Sequence, residues 1–93
     1  MKYTVKNSGQ FKKDLKLMQK QGKDITLLAD VVKMLADGIP LDEKYRDHPL
    51  SGNFSGCREC HITPDWLLIY EIQDDVLILY LTRTGSHSSL FSM

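Results

Sequence analysis

The side chains best suited to moving protons and binding phosphate lie in the second half of the chain. All three histidines and all three arginines are there: His48, His61, His87, Arg46, Arg58 and Arg83. Histidine exchanges a proton near neutral pH, and the planar guanidinium of arginine holds two phosphate oxygens at once. One chemistry open to such a set is RNA cleavage without a metal. It needs a base for the 2′-OH, a cation at the phosphate and an acid for the departing 5′-oxygen.

Five residues are candidates for these roles by type and position. His48, His61 and Asp65 are candidates for proton transfer. Arg83 is the candidate phosphate ligand, and His87 the candidate acid. Each also has an ordinary structural use, as a surface or hydrogen-bonded histidine, a turn residue or an ion pair at a sheet edge. Spacing alone is therefore a weak signal for catalysis.

Two aromatic residues flank this set. Trp66 directly follows Asp65, and Phe91 lies four residues after His87. Aromatic rings hold unpaired RNA bases by stacking, so Trp66 and Phe91 are candidate RNA contacts. Such rings are also common in hydrophobic cores, which is the alternative for each.

The segment from Cys57 to Cys60, followed by His61, resembles half of a zinc site. A structural zinc site needs a second Cys/His pair at suitable spacing, and the sequence has none. In a strand, residues three apart face opposite sides of the sheet, so the two cysteines should point away from each other. We therefore expect no metal site and no cofactor. Two cysteines make no disulfide scaffold either, which favours a reducing cytoplasm.

The charge of the chain is unevenly distributed. The net charge of all 93 residues is zero, but residues 1–23 contain seven lysines and one aspartate, a net charge of +6. This basic region, with Lys12, Lys13 and Lys16 at its centre, is a candidate contact for RNA or for an acidic partner. A solvated helix face is the alternative. The length predicts a single domain over residues 1–93, and no apolar run is long enough for a membrane span or resembles a signal peptide.

Two amphipathic helices are predicted after a first strand at residues 2–6. The first begins at Ser8, a suitable cap, and ends near Gly22. The second begins after Asp24 and ends before Gly38. Apolar residues recur at helical spacing in both: Phe11, Leu15 and Met18 in the first, Leu28, Val31, Val32 and Leu35 in the second. Because the connection is very short, the helices should form an antiparallel hairpin.

The rest of the chain predicts a long loop and then strands. Residues 39–53, which include His48, have two prolines and no clear period. Strands follow at 58–63, 66–72 and 76–82, with a short helix or tail at 85–91. The last two strands are apolar on both faces, so part of the second face needs a cover, which a bound partner could supply. The predicted fold class is α+β, with the helical hairpin packed on a mostly antiparallel sheet.

Three segments together resemble the YafQ branch of the RelE/ParE toxin superfamily. They read DHPL-x-G from Asp47, R-x-x-H-x-x-PDW-x-L-x-Y from Arg58 and RTG-x-H-x-x-LF from Arg83. The opening run from Ser8 to Asp14 also fits, so the similarity covers nearly the whole chain. The combined pattern is far more specific than any of its pieces.

The resemblance implies a RelE-like fold and a ribosome-dependent endoribonuclease that cuts mRNA in the ribosomal A site. The 2′-OH attacks its own phosphate and leaves a 2′,3′-cyclic end, without a metal. By match to the motif, the acid–base set comprises His48, His61, Asp65 and His87. Arg83 stabilises the phosphate, and Trp66 and Phe91 help to hold the RNA. His87 is then the general acid, while the base is either His48 or Asp65.

The resemblance also implies partners. These are a cognate antitoxin protein, which silences the toxin and would cover its apolar surface, and the ribosome with its mRNA and rRNA. Contact with DNA is expected only through the antitoxin, and no membrane is involved.

Two other functions are compatible with this superfamily. ParE-like toxins share the fold but act on DNA gyrase and lack the nuclease residues, and fold alone does not settle function. An inactive copy that only binds the antitoxin is the other alternative, and it would be expected to lose His87 or Arg83. Because His48, His61, Asp65, Arg83 and His87 are all present, the sequence favours the nuclease.

Overall fold

The computed structural model describes residues 1–91 and contains one five-stranded sheet with helices on both faces. The strands are β1 (Thr4–Asn7), β2 (His48–Pro49), β3 (Arg58–Thr63), β4 (Trp66–Gln73) and β5 (Ile78–Gly85). The helices are α1 (Gly9–Lys20), α2 (Ile25–Ala36) and α3 (His87–Phe91). Ser92 and Met93, which the predicted domain includes, lie outside the described residues. The predicted α+β class, the first strand and the short final helix are confirmed.

The sheet has the order β1-β5-β4-β3-β2 and is mixed. The pairs β3–β4 and β4–β5 are antiparallel, as predicted, and so is the pair β2–β3, whereas β1 pairs with β5 in parallel. Parallel neighbours need a long crossover. Here the crossover is the whole chain between β1 and β5, so the first strand lies beside the last one.

The two long helices begin at the residues predicted to cap them. Ser8 Oγ accepts a hydrogen bond from Phe11 N at 2.9 Å, and Asp24 Oδ1 accepts one from Thr26 N at 3.0 Å. These contacts satisfy amide groups that the first helical turn leaves unpaired. Four residues join the helices, and Gly22 among them has a φ of 78°, a conformation that glycine adopts without strain. Both helices pack their apolar sides on one face of the sheet, where Leu68, Tyr70, Leu79 and Leu81 are buried.

The other face of the sheet is covered by the chain itself. Leu67 and Ile69 of β4 are fully buried there against Leu90 of α3. The cover is completed by Leu50, Phe54, Cys57 and Phe91. The expectation that a bound partner supplies this cover is therefore wrong for these residues, because α3 and the segment before β3 bury them within the monomer.

The segment predicted as a structureless loop contains short regular elements. Residues Glu43–Tyr45 and Gly52–Phe54 form 3-10 helices, and His48–Pro49 forms β2. A two-residue strand leaves no periodic signal in a sequence, which is why it was missed. The last strand also starts at Ile78 rather than at residue 76, because the turn after β4 extends through Leu77, whose φ is 54°.

Two further expectations concern the cysteines and the membrane. Cys57 packs with the α3 side of the sheet and Cys60 lies in the core on the α1–α2 side, so the prediction that they face opposite ways is confirmed. No helix within residues 1–91 has the length and apolar character needed to cross a bilayer.

Candidate active site

A buried carboxylate lies between two of the predicted histidines. Glu59 Oε1 is 3.3 Å from His61 Nε2 and 3.8 Å from His48 Nε2, and Glu59 is only 5% exposed. Two features of the sheet bring the three together. Alternation along β3 places Glu59 and His61 on one face, and antiparallel pairing places His48 of β2 directly opposite Glu59.

The outer nitrogens of the two rings are also held. His48 Nδ1 lies 2.7 Å from the carbonyl oxygen of Arg46, and His61 Nδ1 lies 3.3 Å from that of Pro64. A carbonyl oxygen only accepts, so each Nδ1 donates its proton in these contacts. In the neutral rings the Nε2 atoms, which face Glu59, are then the acceptor nitrogens. When they are protonated, the Glu59 carboxylate supplies the matching negative charge.

Strand pairing aligns four residues in one row across the sheet: His48, Glu59, Ile69 and Arg83. Residues directly opposite each other share a face, and the adjacent row contains His61 opposite Leu67. Neighbouring strands are about 4.8 Å apart, so the backbones of Glu59 and Arg83 are separated by about 10 Å. His48, His61 and Arg83 therefore lie on the same face of the sheet, and Ile69, which separates Glu59 from Arg83 in the row, is fully buried beneath α3.

Arg83 is held by an aspartate of α1. Its Nε donates to Asp14 Oδ2 at 2.7 Å and its Nη2 to Asp14 Oδ1 at 3.2 Å, while the amide of Thr84 also donates to Oδ2 at 3.2 Å. The hydrogen bond to Asp14 raises the pKa of Arg83 above its already high value, so the guanidinium is permanently charged. Asp14 is 7% exposed, whereas the Arg83 side chain is 27% exposed and accessible to a substrate.

The ion pair between Asp14 and Arg83 lies where the pairing of β1 with β5 ends. Pairing between β1 and β5 ends at Leu81, so the next part of β5 is paired with β4 but has no strand on its other side. The start of α1 takes that position, because Ser8 Oγ donates to Thr82 O at 2.7 Å and Asp14 accepts from Thr84 N. The helix thereby satisfies the exposed backbone of β5 and orients Arg83 in the same contact.

His87 begins α3 and is exposed on the same face of the sheet. Its ring centroid is 5.0 Å from that of Phe91, which makes an edge contact at 5.7 Å with Phe54. Leu90 anchors the helix on Leu67 and Ile69. A Cβ at Gly85 would lie 2.9 Å from Ser89 Oγ, so the helix approaches the strand more closely than a larger residue would allow.

Asp65 and Trp66 occupy different environments from each other. Asp65 is exposed in the turn between β3 and β4, next to Pro64, whose carbonyl contacts His61. Trp66 is 1% exposed in the core on the α1–α2 side, and its Nε1 donates to Thr84 Oγ1 at 2.9 Å. The prediction that Trp66 stacks on RNA is therefore wrong for this structure, because its ring is enclosed by the core.

The predicted RNA-binding lysines are exposed. Lys12, Lys13 and Lys16 lie on the outer side of α1, whose inner side buries Phe11, Asp14 and Met18. Their contact with RNA stays a prediction. Phe91 is half-buried beside His87, and its role in holding RNA also stays a prediction.

Glu59 and Asp14 were not among the predicted site residues, although each is marked by its position in the sequence. Glu59 precedes His61 by two residues on a strand, so both side chains had to share a face. Asp14 lies three residues after Phe11 and four before Met18, on the apolar side of α1. A carboxylate at such a position needs a cationic or hydrogen-bonding partner.

Comparisons with known proteins agree with this architecture. A family model described as the bacterial toxin of type II toxin–antitoxin systems, YafQ, matches residues 3–92. The mRNA interferase toxin YafQ of Escherichia coli K12 is 43% identical over 88 residues, which cover 94% of each chain.

Two solved structures are similar over nearly the full chain. The E. coli DinJ–YafQ complex contains a chain with a TM-score of 0.89 and 42% identity, over 97% of this chain and 99% of that one. A metal-bound toxin from Helicobacter pylori has a TM-score of 0.90 and 49% identity, over 96% and 99%. Family model, sequence relatives and structures agree, and the chain belongs to the YafQ family of toxins of bacterial type II toxin–antitoxin systems.

Proposed function

We propose that this protein is an mRNA interferase, an endoribonuclease that cuts mRNA and so stops translation and growth. The observation that carries the proposal is the alignment of His48, Glu59 and Arg83 in one row of the sheet, with His61 in the adjacent row and with α3, which begins at His87, packed on the same face through Leu90. The name of the E. coli relatives, mRNA interferase toxin, supports the same activity.

The first step that we propose is removal of the 2′-OH proton by His48. Its Nδ1 is occupied by the Arg46 carbonyl, which leaves Nε2 to accept a proton, and its side chain is 48% exposed. Glu59 stabilises the imidazolium that forms. Asp65 is the other candidate base, but the hydrogen bonds among residues 1–91 include none that fixes its side chain.

In the same reaction the 2′-oxygen attacks the neighbouring phosphorus and the bond to the 5′-oxygen breaks. His87 gives its proton to that leaving oxygen, and the products are a 2′,3′-cyclic phosphate and a 5′-hydroxyl. Arg83 stabilises the charge on the phosphate, and His61 belongs to the same acid–base set. Phe91 stacks against a base next to the cut.

We also propose the partners of this reaction. The substrate is mRNA in the ribosomal A site, and Lys12, Lys13 and Lys16 contact rRNA phosphates through their exposed charges. The protein acts in the cytoplasm, where a cognate antitoxin neutralises it, as the DinJ–YafQ complex of E. coli suggests. DNA is contacted only through that antitoxin.

A metal is not part of the proposed mechanism. The Helicobacter pylori relative is a metal-bound toxin, which makes the donor set of this chain worth testing. Within residues 1–91 no group of three His, Cys, Asp or Glu side chains has the geometry of a metal site, although Glu59 lies near both His48 and His61. In the proposed mechanism every proton transfer is made by the side chains themselves.

The test is induction of the wild type, and of a His87→Ala variant, in a bacterial host that lacks the antitoxin. We expect growth arrest and new mRNA 5′ ends at fixed codon positions for the wild type, and neither for the variant. Ser88→Ala, an exposed neighbour on α3, serves as the matched control and should behave as the wild type. Growth arrest without new mRNA ends would contradict the proposal and point to a gyrase-directed toxin.

A further inference from the structure

The surface beside His61 and His48 is concave. A cavity of ≈570 Å³ opens between the end of β3, the 3-10 helix at Glu43–Tyr45 and α2. Its volume falls within the range of sites that bind small organic groups, about 300–1,000 Å³. The walls that matter here are formed by Leu27, Lys44, Tyr45, Arg46, His61 and Pro64. We call it the Tyr45 cavity.

The walls of the Tyr45 cavity combine flat apolar surfaces with positive charge. Tyr45 is half-buried, and Pro64 and Leu27 add apolar surface. Lys44 and Arg46 are exposed, and Lys44 Nζ lies over the Tyr45 ring, 5.1 Å from its centre, while Tyr45 also packs against the core on the α1–α2 side. An aromatic wall flanked by cations suits an unpaired nucleobase together with its phosphate, since the base stacks while the phosphate meets the charges.

The cavity shares residues with the proposed site of cleavage. The His61 ring forms part of its wall and also lies 3.3 Å from Glu59. Arg46, at the rim, holds His48 through its carbonyl oxygen at 2.7 Å. The Tyr45 cavity therefore adjoins the proposed site of cleavage through His61 and Arg46.

The backbone of Arg46 is unusual in a way that fits a binding role. Its φ is 50°, in the left-handed region that residues with a side chain rarely adopt. Such conformations cluster at functional sites, where the surrounding structure maintains them. Here the conformation places the Arg46 side chain at the cavity and its carbonyl at His48.

We propose that the Tyr45 cavity is a nucleotide subsite, which binds one unpaired base and phosphate of the mRNA next to the scissile bond. Tyr45 stacks on the base, Arg46 and Lys44 hold the phosphate, and the shape of the cavity contributes to the choice of cut site. This inference rests on the proposed ribonuclease function.

The kinetic test uses Arg46→Gly and Tyr45→Leu. Glycine adopts a φ of 50° without strain, so Arg46→Gly removes the charge and keeps the carbonyl that holds His48. On ribosomes programmed with defined mRNAs, we expect KM to rise about tenfold with kcat nearly unchanged, as the loss of one charge-assisted contact predicts. Tyr45→Leu should flatten the base preference next to the cut. Lys33→Ala, an exposed lysine on α2 outside the cavity, should change neither quantity.

A binding measurement separates this proposal from the proposed function. A 2′-O-methylated trinucleotide, which cannot undergo 2′-OH attack, is titrated into the ¹⁵N-labelled protein. We expect amide shifts centred on the walls of the Tyr45 cavity, and their loss in Arg46→Gly. If the wild type cuts mRNA but both variants keep its KM and base preference, the subsite is wrong and the ribonuclease stands. If the wild type cuts no mRNA, the proposed ribonuclease function is wrong. If the trinucleotide causes no amide shifts at the walls of the Tyr45 cavity, the proposed subsite is wrong, whatever the outcome of the cleavage assay.

Discussion

Replacement of Asp14 by asparagine should lower the free energy of unfolding by about 2–3 kcal/mol. Asp14 is the acceptor for two hydrogen bonds from Arg83, at 2.7 and 3.2 Å, and for one from the amide of Thr84. Asparagine has nearly the same size, so the substitution removes charge without leaving a cavity. The prediction therefore isolates the ion pair from packing.

The size of this loss in the free energy of unfolding depends on the burial of the ion pair and on the hydrogen bond that asparagine can still accept. A hydrogen bond to a charged group contributes about 1.5–3 kcal/mol, and breaking a fully buried pair costs about 3–5 kcal/mol. The Arg83 side chain is 27% exposed, so water compensates part of its loss, and the asparagine oxygen can still accept from Thr84. For a domain of this size, a loss of about 2–3 kcal/mol lowers Tm by about 10–20 °C.

The assay is equilibrium unfolding in urea, with Tm as a second readout. Asp30→Asn, an exposed position on α2, removes the same charge and should stay within about 0.5 kcal/mol of the wild type. In an Arg83→Gln background, Asp14→Asn should cost much less than it does alone, because its charged partner is gone. A full-size effect in that background, or a wild-type stability for Asp14→Asn itself, would refute the reasoning.

Three further predictions concern buried titratable groups. Glu59→Gln keeps the shape of the side chain beside His61 and His48 but removes the charge that stabilises the His48 imidazolium in the proposed reaction. Cleavage should therefore slow about tenfold to a hundredfold. Burial, and next a hydrogen bond to a carboxylate, raise the pKa of Tyr70 above its ordinary value of 10.0. Above pH 10 the folded protein therefore keeps the Tyr70 phenol neutral, whereas the same phenol ionises in the unfolded chain. Stability present below pH 10 is therefore lost as the pH rises further, and Tyr70→Phe should lose less of it in urea melts. Burial raises the pKa of Cys60 to about 12, so iodoacetamide should modify Cys57 well before Cys60 in the native protein.

Each of these predictions has a control and a contradicting result. Glu43→Gln removes an exposed carboxylate and should leave cleavage unchanged, and equal rates for it and Glu59→Gln would contradict a role for the buried charge. Tyr45→Phe should retain the alkaline sensitivity that Tyr70→Phe loses. In urea, where the chain unfolds, both cysteines should react alike, and rapid labelling of Cys60 in the native state would contradict its burial.

Local chemistry made the helices predictable from the sequence. The Ser8 and Asp24 caps, and the apolar residues at helical spacing, are signals carried within a few neighbouring residues. The alternation along β3 similarly predicted that Cys57 and Cys60 face opposite sides. Each of these inferences needed only the period of one element.

Features that depend on contacts between distant segments were not predictable in this way. The parallel pairing of β1 with β5 joins residues more than seventy positions apart. The two-residue strand at His48–Pro49 exists only because β3 offers it hydrogen-bonding partners. Trp66 was a candidate RNA contact because aromatic rings stack on bases, with the core as the alternative. The sequence could not decide between the two, because the burial of this ring depends on the helices that pack on β4.

The candidate site was only partly predictable for a related reason. Residue types identified His48, His61 and Arg83 as candidates. The arrangement that places His48 and Arg83 in one row, with His61 in the adjacent row, depends on the register of four strands. The two carboxylates, Glu59 and Asp14, become visible as partners of His61 and Arg83 only when those distances are known. Composition suggests which groups can act, whereas tertiary pairing decides which of them act together.

The central claim is that the side chains on this face activate the 2′-OH of the RNA itself. The most direct measurement is cleavage, on purified ribosomes, of an mRNA that carries a single 2′-O-methyl group at the nucleotide preceding the cut. The account predicts that the unmodified mRNA is cut to a 2′,3′-cyclic phosphate end and that the methylated one stays intact at that position. Cleavage of the methylated mRNA at the same bond would contradict it.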